Sequence, residues 1–158
     1  MTSIIVSYLL SKAIAIDLEG HDTYLPNFKA KASACFKKDK SVVLAALKQN
    51  GYALYFADES FKKDKSIVLE AVKQQGEALE YADESLKKDR SFILNLVHTW
   101  SDILKYADKS LRKDKSIVLK AAKNWSSALE FADESLKKDR SFVLELVKQG
   151  GFSLFYVD

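Results

Sequence analysis

The sequence predicts an all-α fold, an α-solenoid of stacked two-helix units with a period of 25 residues. Three observations lead there. The first is a recurring phrase of basic residues around an aspartate, closed by a serine. It reads Lys-Lys-Asp-Lys-Ser at 37–41 and 62–66, Lys-Lys-Asp-Arg-Ser at 87–91 and 137–141, and Arg-Lys-Asp-Lys-Ser at 112–116. Its aspartates, Asp39, Asp64, Asp89, Asp114 and Asp139, are 25 residues apart each time. The second is that each period holds two stretches of helical apolar spacing. The third is that five Gly and one Pro in 158 residues leave little room for long irregular loops.

Taken in order, residues 3–18 read as an amphipathic capping helix. The alternative is a targeting or membrane-surface segment, but no basic residue precedes Ile4 and Lys12 follows the apolar run at once. Gly20 is a helix stop, and Pro26 favours an extended segment. Residues 28–36 align weakly with the period and read as a worn half-unit. The organisation expected is therefore 1–36, cap and degenerate half-unit, followed by 37–158, tandem repeats, as one domain overall.

Within a unit, a first helix is expected over about 78–87, where Leu79, Ala82 and Leu86 fall at i, i+3 and i+7. A second is expected over 65–75. Asp64 is its N-cap, because a carboxylate there accepts the free N–H groups of the first turn. Ile67, Val68, Leu69, Ala71 and Val72 leave only a narrow polar stripe, so this helix should be buried by neighbours on several sides. Gly76 is expected to close it, and Gly51 and Gly150 to close its counterparts, by adopting the left-handed conformation that glycine tolerates best. Helices this short are marginal alone in water, so their stability must come from stacking unit on unit.

A longer period lies inside the first. Units with Ile67/Ala71 and Ile117/Ala121 alternate with units holding Phe92/Leu96 and Phe142/Leu146. Alternating small and large side chains lets layers interdigitate, which gives a 50-residue superperiod.

The run Asp-Lys-Ser-Ile-Val-Leu-Glu-Ala-Val-Lys-Gln-Gln-Gly (64–76), followed by Ala-Leu-Glu-Tyr-Ala-Asp-Glu-Ser-Leu-Lys-Lys-Asp (78–89), resembles a family of tandem helical repeats known only as a domain of unknown function. The resemblance covers about 37–158. It implies a helical repeat fold and no catalytic residue set. The chain departs from the pattern at 98–101 and 123–126, where His-Thr-Trp-Ser and Lys-Asn-Trp-Ser replace Lys-Gln-Gln-Gly.

The functional reading follows from what is repeated and what is not. Fifteen of the 25 basic residues lie in the five phrases. Stacked in register, Lys62, Lys63, Lys87, Lys88, Arg112, Lys113, Lys137 and Lys138 would form a ridge for phosphate, nucleic acid or anionic lipid. Set against this, the phrase holds its own aspartate, acids recur at 57–60, 82–85 and 132–135, and a net charge of +3 is small. Ser41, Ser66, Ser91, Ser116 and Ser141 have a loose phosphorylation context, but serine is favoured near helix starts in any case. Trp100 and Trp125 replace Gln75 in successive units, and tryptophan is enriched where partners dock. His21, His98 and Cys35 are too scattered for a metal site, and no nucleotide loop or catalytic constellation is present in the sequence. A lone cysteine allows no intrachain disulfide and favours a reducing intracellular compartment. No apolar run approaches the roughly 18 residues of a membrane span. The expectation is a non-enzymatic scaffold or assembly subunit that binds another protein, with no cofactor, metal or small-molecule substrate. Binding of phosphate-bearing polymers through the ridge is the second reading.

Overall fold

The computed structural model describes residues 37–100 and 102–149. The helix expected over 3–18, the half-unit at 28–36, His21, Cys35 and Gly150 lie outside the described residues. Among the described residues every regular element is helical and none is a strand. The fold is the all-α tandem repeat that the 25-residue step predicts. Its contacts divide the chain into two compact units, Met1–Asp83 and Glu84–Asp158.

In the first compact unit the long helices Lys40–Leu47 and Lys65–Gln74 pack side by side. The short segments Gly51–Phe56 and Gly76–Tyr81 pack on one another and on the long helices, forming a second layer. Val42, Val43, Ala46, Leu47, Ile67, Val68, Ala71 and Val72 of the long layer meet Ala53, Leu54, Ala78 and Leu79 of the short one, and all are buried. The second compact unit repeats this plan. Lys115–Asn124 packs against both Arg90–Leu96 and Arg140–Gln149, while Ile103–Tyr106 packs on Ser126–Phe131. Its stacked long helices present Phe92, Ile117 and Phe142 in turn, all buried, so the 50-residue alternation is one of core side-chain size.

The first helix of the unit differs from expectation. The segment 78–87 is not one helix. A 3₁₀ segment, Gly76–Tyr81, is followed by a break at Ala82 and Asp83 and then by a one-turn helix, Glu84–Lys87. The same break falls after Phe56 and Phe131. After Tyr106, which ends a turn of α-helix in that repeat, it falls again. In each case the alanine is extended, with φ and ψ of −67° and 157° at Ala57 and −66° and 151° at Ala132. The extended backbone turns the next N–H outward to the preceding repeat. Asp58 N–H donates to Lys37 O at 3.1 Å and Asp83 N–H to Lys62 O at 3.0 Å. In the second unit Asp108 N–H donates to Lys87 O at 3.0 Å and Asp133 N–H to Arg112 O at 3.1 Å. A continuous helix would spend these donors on its own carbonyls.

The glycine reading also needs correction. Gly51 does not adopt a left-handed backbone and does not close a helix; it begins Gly51–Phe56. A Cβ there would lie 3.2 Å from the Ala71 carbonyl carbon and 2.7 Å from Gln75 Oε1, and closer still to the Ala71 oxygen. Glycine is needed because the neighbouring long helix passes so close. Gly51 N–H also donates to Gln75 Oε1. Gly76 likewise opens Gly76–Tyr81; Lys65–Gln74 ends at Gln75, whose extended backbone stops it.

Candidate interaction surfaces

The most regular surface feature among the described residues is a pair of Asp-x-Ser capping motifs that recurs along the repeats. Asp64 Oδ1 accepts Ser66 N–H at 2.8 Å and the Ser66 hydroxyl at 2.6 Å. Asp39, Asp114 and Asp139 do the same with Ser41, Ser116 and Ser141, and Asp89 accepts the Ser91 hydroxyl. Six residues earlier a second Asp-x-Ser starts the one-turn helix. Asp58, Asp108 and Asp133 accept the N–H and hydroxyl groups of Ser60, Ser110 and Ser135. Of the acids at 57–60 and 132–135, Asp58 and Asp133 are therefore caps, while Glu59 and Glu134 pair with Lys62 and Lys137. The signal was present in the sequence: Asp58-Glu-Ser and Asp64-Lys-Ser have the same spacing. The phrase serines are bonded to these carboxylates.

Basic side chains join one repeat to the next. Lys40 reaches Asp64 at 3.5 Å in the first compact unit. In the second, Arg90 reaches Asp114 at 2.8 Å and Lys115 reaches Asp139 at 2.5 Å, while the Arg90 guanidinium also donates to the Ser116 hydroxyl. A parallel set pairs Lys38 with Asp58, Lys63 with Asp83 and Lys113 with Asp133 at 3.8–4.0 Å.

These caps and pairs hold the aspartates ionised. The Ser66 hydroxyl is the main cause that lowers Asp64, and the hydroxyls of Ser41, Ser60, Ser110 and Ser135 act alike on Asp39, Asp58, Asp108 and Asp133. Partial burial pushes Asp114 up. Hydrogen bonds from Arg90, Ser116 and the N–H groups of Ile117 and Ser116 outweigh it and bring the carboxyl to about 2. Lys115, then Ser141, draws Asp139 far below the ordinary carboxylate range. A carboxylate held below its unfolded value stabilises the fold fully above about pH 4 and loses that contribution as the pH falls toward the folded value. Helical circular dichroism and thermal stability should therefore be constant from neutral pH to about 4 and decline between about pH 4 and 2. An undiminished melting midpoint at pH 2 would show that the caps contribute nothing.

The eight residues of the expected anion ridge are mostly engaged. Lys62, Lys87 and Lys137 pair with Glu59, Glu84 and Glu134 at 2.7–2.9 Å, with their side chains largely covered. Lys63 and Lys113 pair as above, and Lys88 lies in the field of Asp108. Arg112 donates to the carbonyls of Ala107 and Lys105 at 3.1 and 2.9 Å. Lys138 is exposed. Much of the positive charge counted from the sequence is thus met by carboxylates inside the repeats.

The two tryptophans are not placed alike. Trp100 is half-buried, and its N–H donates to Leu96 O at 3.3 Å. Trp125 caps Lys115–Asn124 with extended backbone, its N–H donates to Ala121 O at 2.9 Å, and its side chain is 45% exposed. At the equivalent position of earlier repeats stand Asn50 and Gln75. Asn50 Oδ1 accepts Tyr52 N–H at 2.9 Å, and Gln75 accepts Gly51 N–H. Tryptophan can do neither. Nearby, the Asn124 amide donates to His98 Nδ1 at 2.9 Å.

A feature that sequence reading missed lies in the first compact unit. Tyr55 stacks edge-on with Phe56 and Tyr81, with centroids 4.9 and 5.2 Å apart, and Lys62 Nζ stands 6.0 Å from the Tyr55 ring. Tyr55, Phe56 and Lys62 border an open cleft of about 400 Å³ with Lys37, Ala57, Asp58 and Glu59. Among the described residues there is no cluster of donors able to hold a metal, and no helix is long and apolar enough to cross a membrane.

A comparison with known families matches the domain of unknown function DUF4116 five times in tandem, at residues 31–62, 39–87, 64–112, 89–136 and 114–158. No curated protein and no solved structure matches.

Proposed function

The chain belongs to the DUF4116 family, and from that premise we propose that it is a non-enzymatic helical-repeat scaffold or assembly subunit that holds a protein partner. Trp125 is the observation that carries this reading. A large apolar side chain stands nearly half exposed at the end of a helix where the earlier repeat has a glutamine. Tryptophan left in water forgoes burial that a partner can supply, and such side chains dominate binding energy at interfaces. The polar chemistry of the repeats supports the same view, since the Asp-x-Ser pairs are engaged in caps and many of the lysines in ion pairs within or between repeats.

The test is comparative affinity purification from the native source with wild type, Trp125→Ala, and Trp100→Ala plus Trp125→Ala. At least one protein should be retained by wild type and lost from both variants, while the single variant keeps the wild-type circular dichroism. Identical sets of retained proteins would overturn the tryptophan site, and retention of no protein by wild type would overturn the scaffold reading.

A further inference from the structure

We propose that the repeat 103–127 presents a cationic face, centred on Lys105, Lys109 and Arg112, that takes an acidic segment of a protein partner. This rests on the scaffold reading above and names the chemistry of the partner. The repeat stands apart in charge: residues 103–127 hold seven Lys or Arg and two Asp or Glu. The repeats 53–77 and 128–152 each hold four basic and five acidic residues, and 78–102 holds three and five. The small net charge of the whole chain conceals this concentration.

The structure shows which pairings are lost. Elsewhere a glutamate opens the one-turn helix and neutralises the lysine three residues on, as in Glu84–Lys87 and Glu134–Lys137. In 103–127 that glutamate is Lys109, which is exposed, and Arg112 turns to main-chain carbonyls instead. One of those carbonyls belongs to Lys105, which stands where the neighbouring repeats have Glu80 and Glu130. Arg112 thereby ties its own turn, Lys109–Arg112, to the turn Ile103–Tyr106 that carries Lys105, and the exposed Lys105 ammonium stands 5.3 Å from the Tyr106 ring. A second exchange follows the same rule. Glu70 pairs with Lys73 at 3.6 Å, but its counterpart before Lys123 is Lys120.

Like charges three residues apart on a helix destabilise it slightly, so the two such pairs in one repeat, Lys109 with Arg112 and Lys120 with Lys123, serve the fold poorly. They suit a ligand with carboxylates. The size of the patch selects the ligand. A nucleic-acid strand or an anionic bilayer extending past one repeat would also face the exposed Glu84, Glu130 and Glu134. A short Asp- and Glu-rich protein segment confined to one repeat avoids them.

The test uses the full chain and Lys105→Glu plus Lys109→Glu, substitutions that install the residues of the sister repeats and give Arg112 the partner that Lys87 has in Glu84. The probes are a labelled short peptide rich in Asp and Glu, a single-stranded oligothymidylate and phosphatidylserine vesicles. The peptide should bind wild type in a salt-sensitive manner, and the double variant should bind it about tenfold or more weakly while folding normally. Lys87→Gln, which removes a paired cation, should leave binding unchanged. Equal peptide binding by the double variant, failure of the peptide to bind, or binding of only the oligonucleotide or vesicles would each overturn the proposal. If the tryptophan variants lose a partner that the charge variant retains, this inference fails and the scaffold reading stands. If the charge variant loses a partner that the tryptophan variants retain, the inference holds and the tryptophan site is wrong.

Discussion

Leu104→Ala should lower stability by about 2–5 kcal/mol, the usual cost of emptying a leucine site in a close-packed core. Leu104 is fully buried on Ile103–Tyr106, a single helical turn held between Arg90–Leu96 and Ser126–Phe131. A single turn has no helical stability of its own, because nucleation outweighs its few hydrogen bonds. Its order depends on the side chains it buries, and in a stack each of those contacts belongs to two repeats. Denaturant titration should show the midpoint falling accordingly, with Glu130→Ala, on an exposed site, within about 0.5 kcal/mol of wild type. A loss below about 1 kcal/mol at Leu104 would mean that the turn does not pack as described.

Gly51→Ala should be destabilising by about 1–3 kcal/mol, the range for forcing extra volume into a packed site. The expected sign is informative. Where the backbone suits alanine, Gly→Ala stabilises by about 0.4–1 kcal/mol through the unfolded chain. Here the added Cβ meets the main-chain carbonyl of Ala71, which cannot swing aside as a side-chain tip can. Conformation is not the obstacle, since the equivalent position is a serine at Ser126, opening an identical 3₁₀ segment. Thermal denaturation distinguishes the two signs, and a raised midpoint would refute the close approach.

These residues also show what the sequence could disclose. The second helix was legible because its determinants are local: an Asp-x-Ser cap, then apolar residues on most sides. The break in the first helix was hidden by coincidence. Leu79, Ala82 and Leu86 are all buried, as one helix would require, although a 3₁₀ segment, an extended alanine and a helical turn place them there. Asp83 carries the signal of the break, since Asp83-Glu-Ser repeats the spacing of Asp58-Glu-Ser. The role of Gly51 depends on Ala71 and Gln75, which approach only after stacking, and local sequence holds no record of that distance. Trp100 and Trp125 look equivalent by register, but their exposure is set by which neighbours cover them. Charge was legible but pooled over the chain, which concealed Lys105 and Lys109.

The hydrogen bond from Asp133 N–H to Arg112 O, with its counterparts at Asp58, Asp83 and Asp108, has a consequence for how such a protein changes over time. It is a fastening between repeats made of peptide groups, which substitution by any residue other than proline leaves in place. A duplicated stretch of 25 residues therefore arrives with both halves of the fastening already built. Surface side chains can then diverge copy by copy without loosening the array. Individuality and attachment are held by different atoms, so one repeat can become basic while its neighbours remain acidic.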